Sequence, residues 1–312
     1  MRIIFMGTPD FAVPSLQALV RAGHTAVLVI TQPDRPQGRG RRLQPPPVKK
    51  AAQVLDLPVW QPHGLKDPEV VARLRESDPE VIVVAAYGKI LPGAVLQLPP
   101  RGCINVHASL LPRYRGAAPI HWAVIDGAGE TGITTMYMNE GLDTGDMILQ
   151  RSIKIGSDDT VGAVHDRLAQ LGADLLVETL ALVERGEAPR EPQEDHKSSY
   201  APPLTRADEL VNWNKPAPDI YNQIRGLNPW PGARTFWDGQ VLKIWGARVS
   251  GEQAPPGSAP GLVLKVDYEK GILVAAGDAT LWLTEVQLQG GRRLTAGDFL
   301  RGRSIQPGSL LG

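Results

Sequence analysis

Residues 2–10 read Arg2-Ile3-Ile4-Phe5-Met6-Gly7-Thr8-Pro9-Asp10, a short apolar run that ends at a Gly- and Pro-containing turn. Behind it, Phe11–Ala22 places Leu16, Leu19 and Val20 on one helical face. A buried strand, a turn and an amphipathic helix in that order open an alternating α/β chain. Working outward, comparable apolar runs recur at Ala26–Thr31 (AVLVIT), Glu80–Ala86 (EVIVVAA) and Cys103–His107 (CINVH). Strands this apolar need helices on both faces, so the first half is expected to be a doubly wound, mostly parallel sheet. The turn after the first strand is Gly-Thr-Pro-Asp rather than Gly-x-Gly-x-x-Gly. That argues against a nicotinamide or flavin dehydrogenase, whose pyrophosphate needs the close backbone approach of those glycines.

Ile133–Met138 and Met147–Ile155 read as further strands around a Gly- and Asp-rich loop. Thr160–Arg185 keeps Val161, Val164, Leu168, Leu171, Leu175, Leu176, Thr179 and Leu182 at three-four spacing, a long helix that Gly186 ends. The segment Glu187–Thr205 is polar and Pro-rich and reads as a linker over the first domain. Beyond it, Trp213, Ile220, Ile224 and Leu227 mark one helical stretch. Strand-sized runs follow at Ala233–Trp237, Val241–Val249, Gly261–Val266, Gly271–Ala275 and Ala279–Gln287, the spacing of a small OB-like β-barrel. The expected division is 1–189, a linker over 190–206, and 207–312. Trp230 and Trp237 are expected to pack inside the barrel.

The chain has 33 basic and 33 acidic residues among its 312, so a broad cationic coat for non-specific nucleic-acid binding is excluded while a local basic site is not. Its single cysteine, Cys103, rules out an internal disulfide and a Cys-rich zinc site. The first apolar run is too short for a secretory signal, and no run approaches the roughly 18 residues of a membrane span. A cytoplasmic location is the expectation, with no membrane and no obligate protein partner.

Three polar residues are candidates for chemistry. Asn105 and His107 are two apart on a strand and share a face, near the carboxyl end where open α/β sheets bind ligands. Asp143 sits in a Gly-rich loop, Gly141-Leu142-Asp143-Thr144-Gly145-Asp146. Taken singly, each also fits a bland account: a hydrogen-bonded strand-end histidine, a capping asparagine, a turn aspartate.

A longer pattern bears on that choice. The stretch Asn105–Gly116 (NVHASLLPRYRG) resembles the signature of the folate-dependent formyltransferase family, and GLDTGD at 141–146 is similar to that family's second motif. FMGTPDF at 5–11 and AAYGKILP at 85–92 match as well, in order. The resemblance implies that fold, a metal-free acyl transfer and a catalytic trio of Asn105, His107 and Asp143. Asn105 and His107 would offer N–H groups to the developing oxyanion, and Asp143 would orient His107 and relay protons. It also implies 10-formyltetrahydrofolate as donor, in a pocket lined by Ser109, Leu110, Leu111 and Pro112 and by Gly88, Lys89, Ile90 and Leu91. Thr31–Lys49 (TQPDRPQGRGRRLQPPPVK) and Asn228–Ala233 (NPWPGA) resemble segments of members whose acceptor is initiator methionyl-tRNA.

The loop 34–50 carries Arg35, Arg39, Arg41, Arg42, Lys49 and Lys50 against one acid, Asp34. Such a loop suits phosphate contacts, and with the resemblance Arg39, Arg41 and Arg42 are the expected tRNA-binding residues. Arg225, Arg234, Lys243, Arg292, Arg293, Arg301 and Arg303 are further cationic candidates. Rivals are the same site serving a small amine, such as glycinamide ribonucleotide or an amino sugar nucleotide, a formyl-folate hydrolase, and a non-catalytic RNA-binding relative.

Overall fold

The structure, a computed structural model, describes residues 1–37, 42–303 and 305–312. Two compact units emerge. The first comprises Met1–Pro119, Glu130–Lys154 and His165–Pro202, and the second Ile120–Gly129, Ile155–Val164 and Pro203–Gly312. The units interleave along the chain, which no single cut in the sequence expresses.

The first unit is built on a seven-stranded sheet. Its strands are β1 (Arg2–Gly7), β2 (Thr25–Ile30), β3 (Val59–Trp60), β4 (Val81–Ala85), β5 (Cys103–His107), β6 (Glu130–Tyr137) and β7 (Met147–Lys154). They lie in the order β7-β6-β5-β4-β1-β2-β3. The five from β3 to β5 run parallel, while β6 is antiparallel to both β5 and β7. Strands β1, β4 and β5 are apolar because both faces are covered, and Ile3, Ile4, Phe5, Ile82, Val83 and Ile104 have no accessible surface. Each such side chain contributes roughly 1.5–3 kcal/mol of burial.

The chain leaves β1 toward β2 and β3, then crosses back to β4 and β5. The reversal between β1 and β4 opens the sheet at its carboxyl ends, where ligands of such sheets sit. Gly7 ends β1 there, and a Cβ on it would meet the Cβ of Ala12 at 2.8 Å. Glycine therefore lets the turn Asp10–Ala12 fold against the strand before helix α1 (Val13–Arg21) begins.

Two local features differ from the sequence reading. β3 has only two residues, too few to show a period, and was not expected. The basic loop carries a short antiparallel ladder, Arg35–Gln37 with Arg42–Gln44, followed by helix α2 (Pro47–Val54) with Pro47 in its first turn. The long helix α3 (Val161–Arg185) follows its expected bounds within one residue. Thr179 sits on its apolar stripe because its hydroxyl donates to Leu175 O at 2.7 Å and pairs with Thr135 Oγ1 at 2.8 Å.

The second unit is an antiparallel sheet of β8 (Ala233–Trp237), β9 (Gln240–Val249), β10 (Val263–Asp267), β11 (Gly271–Ala275) and β12 (Thr280–Leu288), in the order β8-β9-β12-β11-β10. The carboxyl-terminal tail joins its two edges: Leu311 N donates to Gly261 O at 2.9 Å and Gly312 N to Phe236 O at 3.1 Å. Ile220 and Ile224 of helix α4 (Ala217–Gly226) fill its core with Leu242, Ile244 and Leu283. Trp213 is buried with its indole N–H on Thr235 Oγ1 at 3.1 Å. Trp237 packs edge-on against Phe299. Trp230, expected inside, is 40% exposed and stands edge-on to His121 instead.

Candidate functional site

Strand alternation puts Asn105 and His107 on one side of β5, and both are buried, at 8% and 6% exposure. Register sets Asn105 between Val84 and Met136, and His107 beside Thr134. The third group arrives from the loop between β6 and β7. Asp143 Oδ1 accepts from Asn105 Nδ2 at 3.3 Å, and Oδ2 lies 3.6 Å from His107 Nδ1. Oδ2 also accepts the Gly116 backbone N–H at 2.9 Å. An amide, an imidazole and a carboxylate separated in sequence thus converge at one sheet end.

The tautomer of His107 follows from its other partner. Nε2 lies 3.0 Å from Tyr114 O, and a carbonyl only accepts, so Nε2 carries the hydrogen. In the neutral ring Nδ1 is then the open nitrogen, and it faces Asp143. The sequence reading gave His107 a free N–H for an oxyanion; with Nε2 committed to Tyr114, the nitrogen left open is Nδ1. Asn105 keeps its second N–H.

The loop bearing Asp143 needs unusual backbone. Asp143 is left-handed, with φ 53°. Gly145 has no room for a side chain, since a Cβ would lie 1.7 Å from Tyr137 O. Asn139 Oδ1 braces the loop by accepting from Gly141 N at 3.0 Å and from Thr144 Oγ1 at 2.9 Å.

The turn after β5 is bonded within itself and to the two strands beside it. Ser109 is fully buried and its hydroxyl donates to Arg113 O at 2.6 Å. Leu111 N donates to Thr134 Oγ1 at 3.1 Å, and Thr134 in turn donates to Ser109 O at 2.7 Å. Gln150 Nε2 reaches Leu111 O at 2.7 Å and Thr134 Oγ1 at 2.9 Å. Arg113 N takes Leu110 O. Most main-chain groups that the sequence reading assigned to a ligand are therefore already bonded within the protein, and Leu111 is buried.

The turn after β4 is more open. Ala86 and Gly88 have φ 47° and 82°. Tyr87 O accepts from Thr8 Oγ1 at 3.0 Å and from Gln32 Nε2 at 3.2 Å, docking this turn onto the one after β1. The Lys89 ammonium is taken by the carbonyls of Pro62 and His63. Leu91 is buried and Ile90 is 78% exposed. Leu142, beside Asp143, is also exposed.

Of the basic loop, Arg39 and Arg41 lie outside the described residues, and Arg42 opens the return strand of the ladder. At its base, Lys49 Nζ holds both Asp34 oxygens at 2.9 Å and Gln61 Oε1 at 2.8 Å. Bonds from Gln61 and Lys49 hold the Asp34 carboxyl below its ordinary pKa.

Five of the seven candidate cations of the second unit are committed. Arg225 is buried and donates to Gly156 O at 3.2 Å and Asp159 O at 2.9 Å, a structural strut rather than a surface charge. Arg234 takes Arg206 O, Lys243 takes Pro231 O, Arg293 forks onto Glu285 and Arg301 pairs with Asp298. Arg292 and Arg303 are exposed. A cavity of about 440 Å³ in this unit, walled by Trp122, Asp126, Leu210, Lys215 and Gln223, contains none of the candidate site residues.

Cys103 begins β5 and is buried, which pushes its thiol up to about 12 and keeps it un-ionised. Among the described residues no group of three or more His, Cys, Asp or Glu is arranged to hold a metal, and no helix is long and apolar enough to cross a membrane.

A doubly wound sheet with this trio at its open end, followed by an antiparallel unit, matches one family end to end. Residues 1–180 match the formyl transferase domain and 203–304 the formyl transferase C-terminal domain, and the chain belongs to this family. Within it, the chain is similar to methionyl-tRNA formyltransferases. It is 60% identical to that of Pelotomaculum thermopropionicum over 314 residues, covering 100% of this chain and 99% of the relative. It is 55% identical to that of Moorella thermoacetica over 312 residues, again covering 100% and 99%. An N-formyltransferase of Helicobacter canadensis, solved with folinic acid and dTDP-3-aminofucose, shares the fold with a TM-score of 0.64 at 16% identity, over 94% of this chain and 99% of that one.

Proposed function

We propose that this chain transfers the formyl group of 10-formyltetrahydrofolate to the free amino group of the methionyl moiety of initiator methionyl-tRNA. Full-length similarity to methionyl-tRNA formyltransferases supports the acceptor, and the convergence of Asn105, His107 and Asp143 supports the chemistry. That convergence is the observation that carries the reading.

The reaction forms one N–C bond and breaks another. The acceptor amine attacks the formyl carbon, the carbonyl oxygen takes up negative charge, and the tetrahydrofolate nitrogen departs with the electron pair. The amine gives up a proton and the leaving nitrogen takes one. Asn105 offers its second N–H to the oxyanion, and one such donor is worth about 3–4 kcal/mol. It is already oriented by Asp143, so little reorganisation is needed when charge develops. His107 exchanges the proton through Nδ1, with Nε2 anchored on Tyr114 and the Asp143 carboxylate placed to hold the ring when Nδ1 carries the proton. No covalent enzyme intermediate is required.

For the donor, the turns Gly88–Leu91 and Ser109–Pro112 flank the site. Ile90 and Leu142 provide exposed apolar surface for a flat ring, while Lys89, Ser109 and Leu111 shape the walls through the bonds described above. Arg39, Arg41 and Arg42 would take acceptor phosphates.

The test is an assay of the purified chain with labelled 10-formyltetrahydrofolate and charged initiator tRNA, analysing the product for N-formylmethionine. Formylmethionyl-tRNA is the expected product. Transfer only to glycinamide ribonucleotide or an amino sugar nucleotide, or release of formate alone, would overturn the reading.

A further inference from the structure

The left-handed backbone of Asp143 is one that a side chain seldom adopts, so it has to be held by neighbours. The brace inside the loop, Asn139, acts on Gly141 and Thr144 and leaves Asp143 and Gly145 aside. Both of those residues present their main-chain carbonyls to a single group. Gln193 Nε2 donates to Asp143 O and to Gly145 O, each at 2.8 Å, across separations of 50 and 48 residues.

Gln193 is itself fixed. Its Oε1 accepts from Arg115 Nε at 3.0 Å and Nη2 at 2.8 Å, and Arg115 Nη2 also reaches Asp195 Oδ1 at 2.9 Å. The amide thus has two acceptors on its nitrogen side and two donors on its oxygen side. Its full capacity is used, and only this orientation of the amide satisfies every partner. The residue after Arg115 is Gly116, whose N–H is bonded to the Asp143 carboxylate. A closed circuit results: carboxylate to Gly116, Arg115 to Gln193, and Gln193 back to the Asp143 carbonyl.

The segment holding Gln193 is woven into the same wall. Met147 and Glu191 exchange backbone bonds, Ser199 Oγ accepts Tyr114 N at 2.9 Å, and Tyr200–Ala201 pairs with Arg115–Gly116. What the sequence presents as a polar linker is, at this end, a strap across the backs of both Tyr114, which holds His107, and Asp143.

We propose that Gln193, seated by Arg115, is a positioning residue that sets the Asp143 carboxylate against Asn105 and His107. This rests on the reading of Asp143 as catalytic. Gln193 would not touch either substrate; it acts through the loop. Displacing a reacting group by about 1 Å costs on the order of a hundredfold in rate, so loss of the Gln193 bonds should reach kcat rather than binding.

The experiment is a double-mutant cycle of Gln193→Leu and Asp143→Ala in the full chain, reading kcat and both KM values, with Gln193→Glu as a second variant. Gln193→Glu keeps the partner of Arg115 but removes both donors to the loop, so it reads the same bonds should Gln193→Leu fail to fold. The expected result is a kcat lower by about 10- to 100-fold for each Gln193 variant. Both KM values should stay within about twofold, and the double variant should be no slower than Asp143→Ala alone, as coupled residues behave. Wild-type kcat in the Gln193 variants, or losses that multiply in the double variant, would overturn the proposal. A wild-type rate for Asp143→Ala would instead remove the catalytic reading beneath it, so the two failures are told apart.

Discussion

The two loops that frame the site are held in different ways. The turn Ser109–Arg113 is bonded within itself and to the strands beside it: Ser109 bonds Arg113, Leu110 accepts from Arg113, and Thr134 of β6 and Gln150 of β7 take Leu111 and Ser109. The loop Gly141–Asp146 keeps one brace of its own and takes its grip on Asp143 from Asn105, Gly116 and Gln193. A turn held mainly by its own residues and the neighbouring strands forms once β5, β6 and β7 have assembled. An externally held loop forms only when distant parts of the chain have already met. The division suits the proposed chemistry, in which the turn shapes a wall whereas the loop delivers a charged group that must be placed to a fraction of an ångström.

The largest expected effect falls where both loops meet the reacting atoms. Asn105→Ala should lower kcat by about 10²–10³-fold, the usual cost of an oxyanion donor. His107→Ala should lower it by a comparable or larger factor, within the 10²–10⁴ range of acid–base groups. Steady-state rates with both substrates saturating check this. A variant of either residue turning over near the wild-type rate would break the assignment of the site, and with it the meaning of the comparison.

Thr134→Val is a gentler probe, aimed at the turn after β5. It removes the hydroxyl that serves Leu111 N, Ser109 O and Gln150 while conserving shape. Leaving such buried groups unsatisfied costs about 1–3 kcal/mol. The expected outcome is a KM for the folate donor raised by about tenfold, a lower melting temperature and a kcat much less affected. A fall in kcat at unchanged KM would show that the wall and the loop are not divided in this way.

The same contrast explains what could be read from residue order. β1, β4 and β5 announce themselves because strands buried on both faces are apolar throughout, and the long helix because Val164, Leu168, Leu175 and Leu176 repeat at three-four spacing. Asn105 and His107 were placed on one face by alternation, and Asp143 joined them through the resemblance of two motifs. Neither route could reach Gln193. Its role is to donate to main-chain carbonyls 48 and 50 residues away, a bond any amide can make and which imposes no period and no partner type. Thr134 was hidden for a related reason: a β-branched residue in a strand is ordinary, and only tertiary contact reveals its hydroxyl as a hub. Arg225 misled in the other direction, since a cation in sequence carries no sign of whether it faces solvent or two buried carbonyls.

The smallest expected effect concerns β5, the strand that carries Asn105 and His107 and leads into the turn Ser109–Arg113. Cys103 starts β5 on the face of Asn105 and His107, and burial raises its thiol from 9.0 to about 12. Tyr87, buried beside the open turn, is raised from 10.0 to about 12 for the same cause. The sign is fixed by proton counting. Above pH 9 an unfolded chain releases the thiol proton and the folded chain retains it, so the unfolded state binds fewer protons and stability falls as pH rises toward 12. Tyr87 adds to the fall from pH 10 upward. Cys103→Ala should lower stability by a constant amount through lost packing, and should remove the thiol's share of the slope. Denaturant unfolding at steps from pH 7 to 11 would then show the decline beginning about one pH unit later than in the wild type, at the onset that Tyr87 sets. Parallel curves with a common onset would mean that the thiol ionises as freely in the folded strand as in the unfolded chain. β5 would then be wetter at its base than its burial implies, and the rigid support assumed for Asn105, His107 and the turn after them would be lost.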